Sequence, residues 1–259
     1  EETDSTDSFK VSGRGELHLS ILIENMRREG YELAVSKPEV IMRRGDKGQL
    51  LEPLEEVVLS VPDEYTGSVI SKLNLRKGLM QEMKSENGFT RLEYLVPTRG
   101  LLGYRSEFIN DTRGEGTMVR RLSHFGEFVG EIPQRTNGVA IAQEEGVATP
   151  YAIFNISERV QMFIEPGTRV YEGMIIGMNA RSDDMVVNPC KAKKATNMRA
   201  AGSDDNIKLA PAKTFTLEEA LEFINDDELV EIVPDDIRLR KKYLKELERR
   251  RLGRKVKTE

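Results

Sequence analysis

Apolar side chains near the start of the chain recur with the period of a helix. Four of them stand at positions i, i+3, i+4 and i+7, namely Leu19, Leu22, Ile23 and Met26. This spacing predicts an amphipathic helix, which Gly30 ends. A short extended segment over residues 9–12 precedes the helix, and alternating apolar positions over residues 31–35 predict a strand after it. Residues 1–48 therefore predict a partial α/β sandwich.

Residues 49–130 carry a complete pattern of strands and helices. Alternating apolar residues around Val57 begin the pattern, and a strand ending at Phe125 closes it. Two helical repeats lie between them, and Asn87-Gly88 marks a hairpin between two further strands. The predicted order is β-α-β-β-α-β, which is the split-βαβ arrangement of a ferredoxin-like sandwich.

Residues 131–259 predict a third, β-rich domain. Gly, Pro, Val and Ile are frequent there, and Thr216 with Glu219 forms a capping box that predicts one short helix. The polar tail fits either a solvated helix or a disordered end. The predicted fold class is α+β: one partial and one complete split-βαβ sandwich, followed by a β-rich C-terminal domain with a short helix.

Composition favours a soluble protein of a reducing compartment. The single cysteine, Cys190, cannot form an internal disulfide, and no apolar stretch approaches the roughly 20 residues that span a bilayer. We therefore expect a cytoplasmic location and no membrane partner. The net charge of -5 argues weakly against a nucleic-acid partner, but the charges are segregated, so local charge decides.

Sequence signals for catalysis are absent. No G-x-x-x-x-G-K-[ST] phosphate loop occurs, so we expect no hydrolysis of GTP by this chain. His18 and His124 are too few and too far apart to predict a metal cluster with Cys190. Pairs of aspartates such as Asp183-Asp184 stand beside turn signals, where carboxylates are usually solvated or capping. We expect no catalytic residue, metal, cofactor or small-molecule substrate.

A basic segment over residues 190–202 is the strongest candidate for a binding site. It interleaves small residues with five polar or cationic candidates, Lys191, Lys193, Lys194, Asn197 and Arg199. No carboxylate occurs between Asp184 and Asp204, whereas an ordinary solvated loop of this chain would carry mixed charge. The composition favours contact with a phosphate backbone. The tail offers further, less specific candidates: Arg238, Arg240, Lys241 and Lys242.

Three segments resemble one protein family. Residues 9–19, FKVSGRGELHL, resemble a signature of domain III in elongation factor G and its relatives. Residues 51–125, which include VPTRGLLGYRSEF, resemble domain V of the same proteins. The remainder, with KKATNMRAAGSDDNIKL, resembles the C-terminal domain peculiar to the BipA/TypA family of ribosome-associated translation GTPases.

The resemblance implies a ribosome-binding protein of the A-site region. Its expected partners are large-subunit ribosomal RNA and the acceptor arm of A-site tRNA, with roles in ribosome assembly and growth under stress. It places the residues of the basic segment at the tRNA-facing loop, and we predict that Arg99 and Arg105 of the domain V match face large-subunit RNA. GTP and magnesium are expected in an N-terminal GTPase domain that this chain lacks.

Two other classes of function stay open. The chain could be a protein-interaction module that docks a partner through its sheet faces, with the basic segment incidental. Steep weakening of binding by salt would favour RNA, whereas apolar docking would be largely insensitive to salt. An independent enzyme is the third reading, and no constellation of residues supports it.

Overall fold

The computed structural model describes residues 1, 3, 8–132, 135–192 and 209–255. Over these residues the α-helices are α1 (Glu16–Arg28), α2 (Thr66–Leu75), α3 (Thr98–Leu101), α4 (Tyr104–Asp111), α5 (Pro150–Ser157), α6 (Leu217–Phe223) and α7 (Glu246–Lys255). The strands are β1 (Leu33–Ser36), β2 (Arg43–Arg44), β3 (Leu50–Pro62), β4 (Leu79–Glu86), β5 (Phe89–Pro97), β6 (Thr117–Glu127), β7 (Val139–Ala142), β8 (Gly146–Val147), β9 (Val160–Met162), β10 (Arg169–Val170), β11 (Met174–Asn179), β12 (Met185–Val187), β13 (Glu228–Val233) and β14 (Asp236–Lys241).

The chain divides into two compact units. The middle unit comprises Pro38–Gln134, and the composite unit joins Glu1–Lys37 to Arg135–Glu259. The sequence instead predicted three domains, over residues 1–48, 49–130 and 131–259. The difference lies mainly in the first segment, whose strand pairs with the composite sheet.

The middle unit has the predicted β-α-β-β-α-β order. Strand β3 pairs with β5 on one edge and with β6 on the other, and β4 pairs with β5, so the strand order is that of a ferredoxin-like sandwich. Apolar residues at alternate positions of β3 and β5 pack with α2 and α4; this core includes Val57, Leu59, Leu73, Tyr94 and Phe108. The predicted fold class of α+β is confirmed.

Turn chemistry fixes the connections of the middle unit. Asn87 and Gly88 take φ of 53° and 82°, as the predicted hairpin requires of its two central residues. The second of the two predicted helical repeats, over Leu101, Tyr104 and Phe108, is not one helix: Leu101 ends α3, and the other two residues lie in α4. Gly103 has a left-handed φ of 71°, which ends α3 and begins α4.

The composite unit is built on a sheet with the order β1-β13-β14-β11-β7-β12, and β9 also pairs with β11. Strand β7 reads Val-Ala-Ile-Ala and is buried at all four positions, because both faces of the sheet are covered. Ala140 and Ala142 pack with α5 on one face, whereas Val139 and Ile141 pack with α6 on the other. Two apolar cores therefore share one sheet.

The first segment completes this sheet. Strand β1 pairs antiparallel with β13, with Leu33 opposite Ile232 and Val35 opposite Val230. Ile23 of α1 is buried in the same core as Val230 and Ile232. A lone strand leaves its backbone N–H and C=O groups unpaired, so β1 gains its hydrogen bonds by pairing with β13.

Some local predictions need correction. The extended segment at residues 9–12 amounts to an isolated bridge at Phe9. The region predicted to be β-rich also contains α5, whose sequence signal is Thr149 as N-cap followed by Pro150. The capping box of Thr216 and Glu219 is confirmed at the start of α6. The tail was predicted as either a solvated helix or a disordered end, but its first residues form strand β14, and α7 follows over Glu246–Lys255.

None of the helices in the described part of the chain is long and apolar enough to cross a membrane.

Gly100 offers a test of the packing in the middle unit. A Cβ at this position would lie 2.6 Å from the carbonyl oxygen of Arg76 and 3.2 Å from Ile132, so a methyl group cannot be placed without moving backbone. We expect Gly100→Ala to lower the free energy of unfolding by about 1 to 3 kcal/mol.

The matched control for that variant is Gly67→Ala in α2. Nothing lies within 4 Å of a Cβ at Gly67, and alanine is the better helix former, so stability should rise by about 0.5 to 1 kcal/mol. Urea unfolding of both variants measures the difference. Equal effects at the two glycines would contradict the close approach at Gly100.

Candidate nucleic-acid interface

One end of the basic segment is anchored beside the start of α5. The hydroxyl of Thr149 donates a hydrogen bond of 2.8 Å to the carbonyl oxygen of Lys191, and its backbone N–H donates one of 2.9 Å to that of Pro189. The side chain of Cys190 packs against the adjacent core, and burial raises the pKa of its thiol. Lys191 itself is exposed. The backbone at the start of the basic segment, its first stem, is therefore fixed as far as Lys191, whose side chain is exposed.

The chain that follows the basic segment, from Leu209 on, is anchored to the same core. Leu209 packs against the cluster that contains Ile153 and Ile164. The backbone N–H of Lys213 then donates a hydrogen bond of 2.8 Å to the carbonyl oxygen of Met162 in β9. Lys193, Lys194, Asn197 and Arg199 lie outside the described residues, so their contact with RNA stays a prediction.

The four candidates of the tail have different environments. Arg238 is half-buried, 2.9 Å from Asp236 and 3.9 Å from Glu231, and these carboxylates raise the pKa of its guanidinium against the effect of burial. Arg240 is half-buried and donates to the backbone of Lys241. Only Lys242 is fully exposed. Because side chains alternate along β14, Arg240 and Lys241 point to opposite faces of the strand.

Lys241 is buried in an ion network. Its ammonium group lies 2.7 Å from Asp184, 2.8 Å from Asp227 and 2.9 Å from Glu228, and its side chain is 3% exposed. Glu228 is fully buried and also accepts two hydrogen bonds from the guanidinium of Arg135, at 2.9 and 3.1 Å. This arrangement gives Lys241 a structural role and gives its predicted RNA contact no support.

The pKa values of the buried pair follow from these contacts. Burial alone would raise the pKa of Glu228, but the hydrogen bond from Arg135 and the charges of Lys241 and Arg135 outweigh it and hold the pKa below its ordinary value. Burial alone would lower the pKa of Lys241, but its three carboxylate neighbours raise it. Both groups are therefore charged at neutral pH.

Arg99 is likewise engaged inside the middle unit. Its guanidinium lies 2.5 Å from the carboxylate of Glu52, which is 1% exposed, and it also donates to the carbonyl oxygen of Gly130. The guanidinium stacks over the ring of Phe128 at 4.5 Å. Glu52 in turn accepts the backbone N–H of Val129. Arg99 therefore ties β3 to the segment after β6, and its predicted contact with RNA gains no support from this geometry.

Arg105 differs from Arg99 because it is exposed and makes no ion pair with a described residue. The carboxylates nearest to it along α4 already have partners: Glu107 lies 3.0 Å from Arg76, and Asp111 lies 2.8 Å from Lys72. The positive charge of Arg105 is thus left available to a ligand.

Lys77 is a cation that the sequence reasoning missed. It is exposed and has a left-handed φ of 62° at the end of α2, where the N–H of Gly78 donates to the carbonyl oxygen of Leu73. Its neighbour Arg76 donates to the carbonyl oxygens of Gly100 and Leu102, so the turn after α2 packs against the segment before Arg105. The Lys-Gly pair after a helical repeat was the available signal.

Arg169 is a second missed cation, and it lies near the first stem of the basic segment. It is exposed on β10 and pairs in register with Val147 of β8. The backbone N–H of Ala148 donates a hydrogen bond to the carbonyl oxygen of Thr168, and that of Thr149 donates one to the carbonyl oxygen of Pro189. Arg169 and Lys191 therefore flank one short segment of backbone. A lone arginine between turn signals carried no sequence signal of its own.

Within the described residues, no group of three or more His, Cys, Asp and Glu side chains is placed to hold a metal ion. His18 and His124 are both exposed. Each of the two units carries exposed cations on hydrogen-bonded backbone, Lys77 and Arg105 in the middle unit and Arg169 and Lys191 in the composite unit, and such cations suit the binding of an anion.

Comparison with known proteins divides the chain near residue 136, close to the boundary between the two compact units at Gln134. The family model described as the elongation factor G C-terminus matches residues 49–136, and the one described as the TypA/BipA C-terminal domain matches residues 137–246. A crystal structure of a protein from Thermus thermophilus matches 31% of this chain and 12% of its own, at 30% identity and a TM-score of 0.30, which is too limited to support an argument.

The curated relatives are similar over almost the whole chain. The proteins named large ribosomal subunit assembly factor BipA are 51% identical in Escherichia coli K12, over 98% of this chain, and 49% identical in Bacillus subtilis 168, over 100% of it. In both comparisons the chain spans 42% of the relative's length.

These matches place the chain among the relatives of elongation factor G. It belongs to the TypA/BipA family.

The buried network predicts a large difference between two adjacent lysines. Lys241→Met removes the cation beside Asp184 and Asp227 and one of the two cations that neutralise the buried Glu228, so we expect the free energy of unfolding to fall by about 3 kcal/mol at pH 7. Lys242→Met should change it by about 0.5 kcal/mol or less, because Lys242 is exposed.

The deficit of the Lys241 variant should also depend on pH. In the wild type the lowered pKa of Glu228 contributes stability above the ordinary carboxyl pKa, and this contribution is lost as pH falls through the folded value. Without Lys241 the carboxylates become protonated at higher pH. The loss of stability relative to the wild type should therefore become smaller below about pH 5. Denaturant unfolding of the wild type and the Lys241 variant, at pH 7 and below about pH 5, measures the difference in their stability. A difference that stays constant with pH would contradict the network.

Arg99 and Arg105 should separate stability from binding. Arg99→Gln leaves the buried carboxylate of Glu52 without its partner, so stability should fall by about 3 kcal/mol. Arg105→Gln should leave the melting temperature unchanged, because Arg105 is exposed. Thermal unfolding measures both variants. If Arg105 does contact RNA, as predicted from the sequence, its variant should also bind RNA less tightly while remaining as stable as the wild type.

Proposed function

We propose that this chain is the RNA-contacting part of a translational GTPase of its family and binds large-subunit ribosomal RNA and A-site tRNA. The support for a ribosomal partner is its similarity, over nearly its whole length, to proteins named large ribosomal subunit assembly factor. The observation that carries RNA contact is the set of exposed cations that have no carboxylate partner among the described residues, including Lys77, Arg105, Arg169 and Lys191.

The basic segment supplies the proposed contact with tRNA. The described chain on both sides of residues 193–208 is fixed to one core, by Thr149 at Lys191 and by Met162 at Lys213. Four residues of the segment are Lys or Arg, and no carboxylate occurs between Asp184 and Asp204, which favours contact with a phosphate backbone. Docking at the A-site region, contact with the acceptor arm, and support of ribosome assembly and translation under stress belong to this proposal.

Catalysis is not part of the proposed function of this chain. We propose that GTP and magnesium bind a GTPase domain elsewhere in the parent protein and that the parent acts in the cytoplasm. The sequence offers no phosphate loop to hold a nucleotide.

One observation favours the alternative of a protein-interaction module. The face of the middle sheet opposite α2 and α4 carries Leu79 and Val119, which are 62% and 68% exposed. Val58 pairs with Val119 across this face, so apolar side chains adjoin there. A protein partner that docks on this face would bind with little dependence on salt.

The test of the proposal replaces Lys193, Lys194 and Arg199 together by Ala. Binding to isolated large subunits should weaken, and the log-log salt slope should become shallower by up to about one unit for each phosphate that the variant no longer neutralises. We expect folding to be intact, because Met198 is the only large apolar side chain between Lys191 and Arg199, so few residues of the segment can anchor in a core. Co-sedimentation over a range of salt concentrations measures both quantities.

The matched control replaces three other exposed cations, Arg28, Lys47 and Lys84, by Ala, which makes the same change in net charge. This control should bind as the wild type does. Equal affinity and an equal slope for the wild type and the first triple variant would show that the basic segment does not contact the RNA.

A further inference from the structure

An open groove of about 620 Å³ runs along β9 in the composite unit. It is lined by residues 157–162, by the end of β11 with Ala180, and by Ala210 and Pro211. The volume falls within the range of about 300 to 1,000 Å³ that small-ligand sites occupy. The groove is therefore large enough for one or two nucleotides.

Two arginines stand together at one end of this groove. Arg159 lines it, and the backbone N–H of Ala180 donates a hydrogen bond of 2.9 Å to the carbonyl oxygen of Arg159, which brings Arg181 to the same rim. Both arginines are exposed, and neither forms an ion pair with a carboxylate in the described part of the chain. Their charge is thus available to an anion.

The other charged groups near this end of the groove balance the two arginines. Glu158 lines the groove, and Asp183 is exposed two residues after Arg181. Lys213 does not line the groove, because its ammonium lies 4.6 Å from the centre of the Phe215 ring. Asp184 is paired with Lys241 at 2.7 Å. Two arginines therefore stand near two carboxylates, neither of which forms an ion pair with them.

Between its charged rims the groove offers a flat, mostly apolar surface. Met178 is half-buried, and Ala180, Ala210 and Pro211 are exposed along it. Gln161 adds an exposed side-chain amide, which can donate to or accept from a nucleobase edge. An apolar floor beside guanidinium groups suits an unpaired base that lies flat and a phosphate at the rim.

The position of the groove connects it to the basic segment. Ala210 and Pro211 follow the segment along the chain, and the backbone N–H of Lys213 holds this part against β9 through a hydrogen bond of 2.8 Å to Met162. Lys191, on the other side of residues 193–208, is an exposed cation of the same compact unit. A duplex would use the phosphate contacts but not the floor, so the floor favours a single strand.

We propose that this groove binds unpaired nucleotides of an RNA strand, with Arg159 and Arg181 on consecutive phosphates and Gln161 at a base edge. The inference rests on the proposed function of the chain as an RNA-binding part of its parent. It adds a second contact surface, which selects single-stranded over double-stranded RNA.

The experiment measures the binding of a fluorescent 12-nucleotide oligouridylate by anisotropy, with an RNA duplex of the same length as competitor. Arg159→Gln combined with Arg181→Gln should lower the log-log salt slope by about 1.4, which is 0.7 for each of two phosphates on a single strand. Ala180→Phe fills the floor without a change in charge, so it should weaken binding severalfold and leave that slope unchanged.

The matched control combines Arg14→Gln with Arg28→Gln, which removes two exposed arginines outside the groove and should bind as the wild type does. Circular dichroism checks that each variant is folded. The inference is overturned if the groove variants superimpose on the wild type, or if duplex competes as well as single strand.

Sedimentation of the same wild-type chain with isolated large subunits separates this inference from the proposed function. A chain that binds subunits but not the oligouridylate overturns the groove and keeps the proposed function. A chain that binds no subunits overturns the proposed function itself.

Discussion

The composite unit depends on a buried network in which Arg135 and Lys241 neutralise Glu228. Glu228 is fully buried at the start of β13, and Lys241 ends β14 at the paired position of the same hairpin. A buried carboxylate would be strongly destabilising without these cations, so the hairpin and the segments that supply Arg135 and Asp184 must come together. The hairpin then offers one edge to β1 and the other to β11, which continues the sheet between its two apolar cores.

The cations of the described residues include two groups, those enclosed with carboxylates inside the fold and those exposed without such a partner. Lys241 and Arg99 are enclosed with carboxylates, so their charge serves folding. Lys77, Arg105 and Lys191 project from turns or helix starts whose backbone is already hydrogen-bonded, and no described carboxylate neutralises them. The net charge of -5 hides this division, because it counts paired and unpaired groups alike. A surface for a polyanion can therefore exist on an acidic chain.

The sequence predicted those parts of the fold that local patterns determine. The period of β3, the Asn87-Gly88 turn and the Thr216 capping box depend on near neighbours, and each is confirmed. Long-range pairing has no such signal, so the joining of β1 to β13 was not predicted. For the same reason the tail residues were grouped by charge alone. Only the fold shows that Lys241 faces three carboxylates while Lys242 faces solvent.

We propose that this chain recognises RNA through its exposed cations. Its test is the affinity of the wild-type chain for isolated large and small ribosomal subunits as the salt concentration rises from 50 to about 200 mM. We expect preference for the large subunit and a linear fall of the logarithm of affinity with the logarithm of salt, with a slope of several units. Affinity for the large subunit that stays constant over this range would contradict it and would favour apolar docking on the open face of the middle sheet.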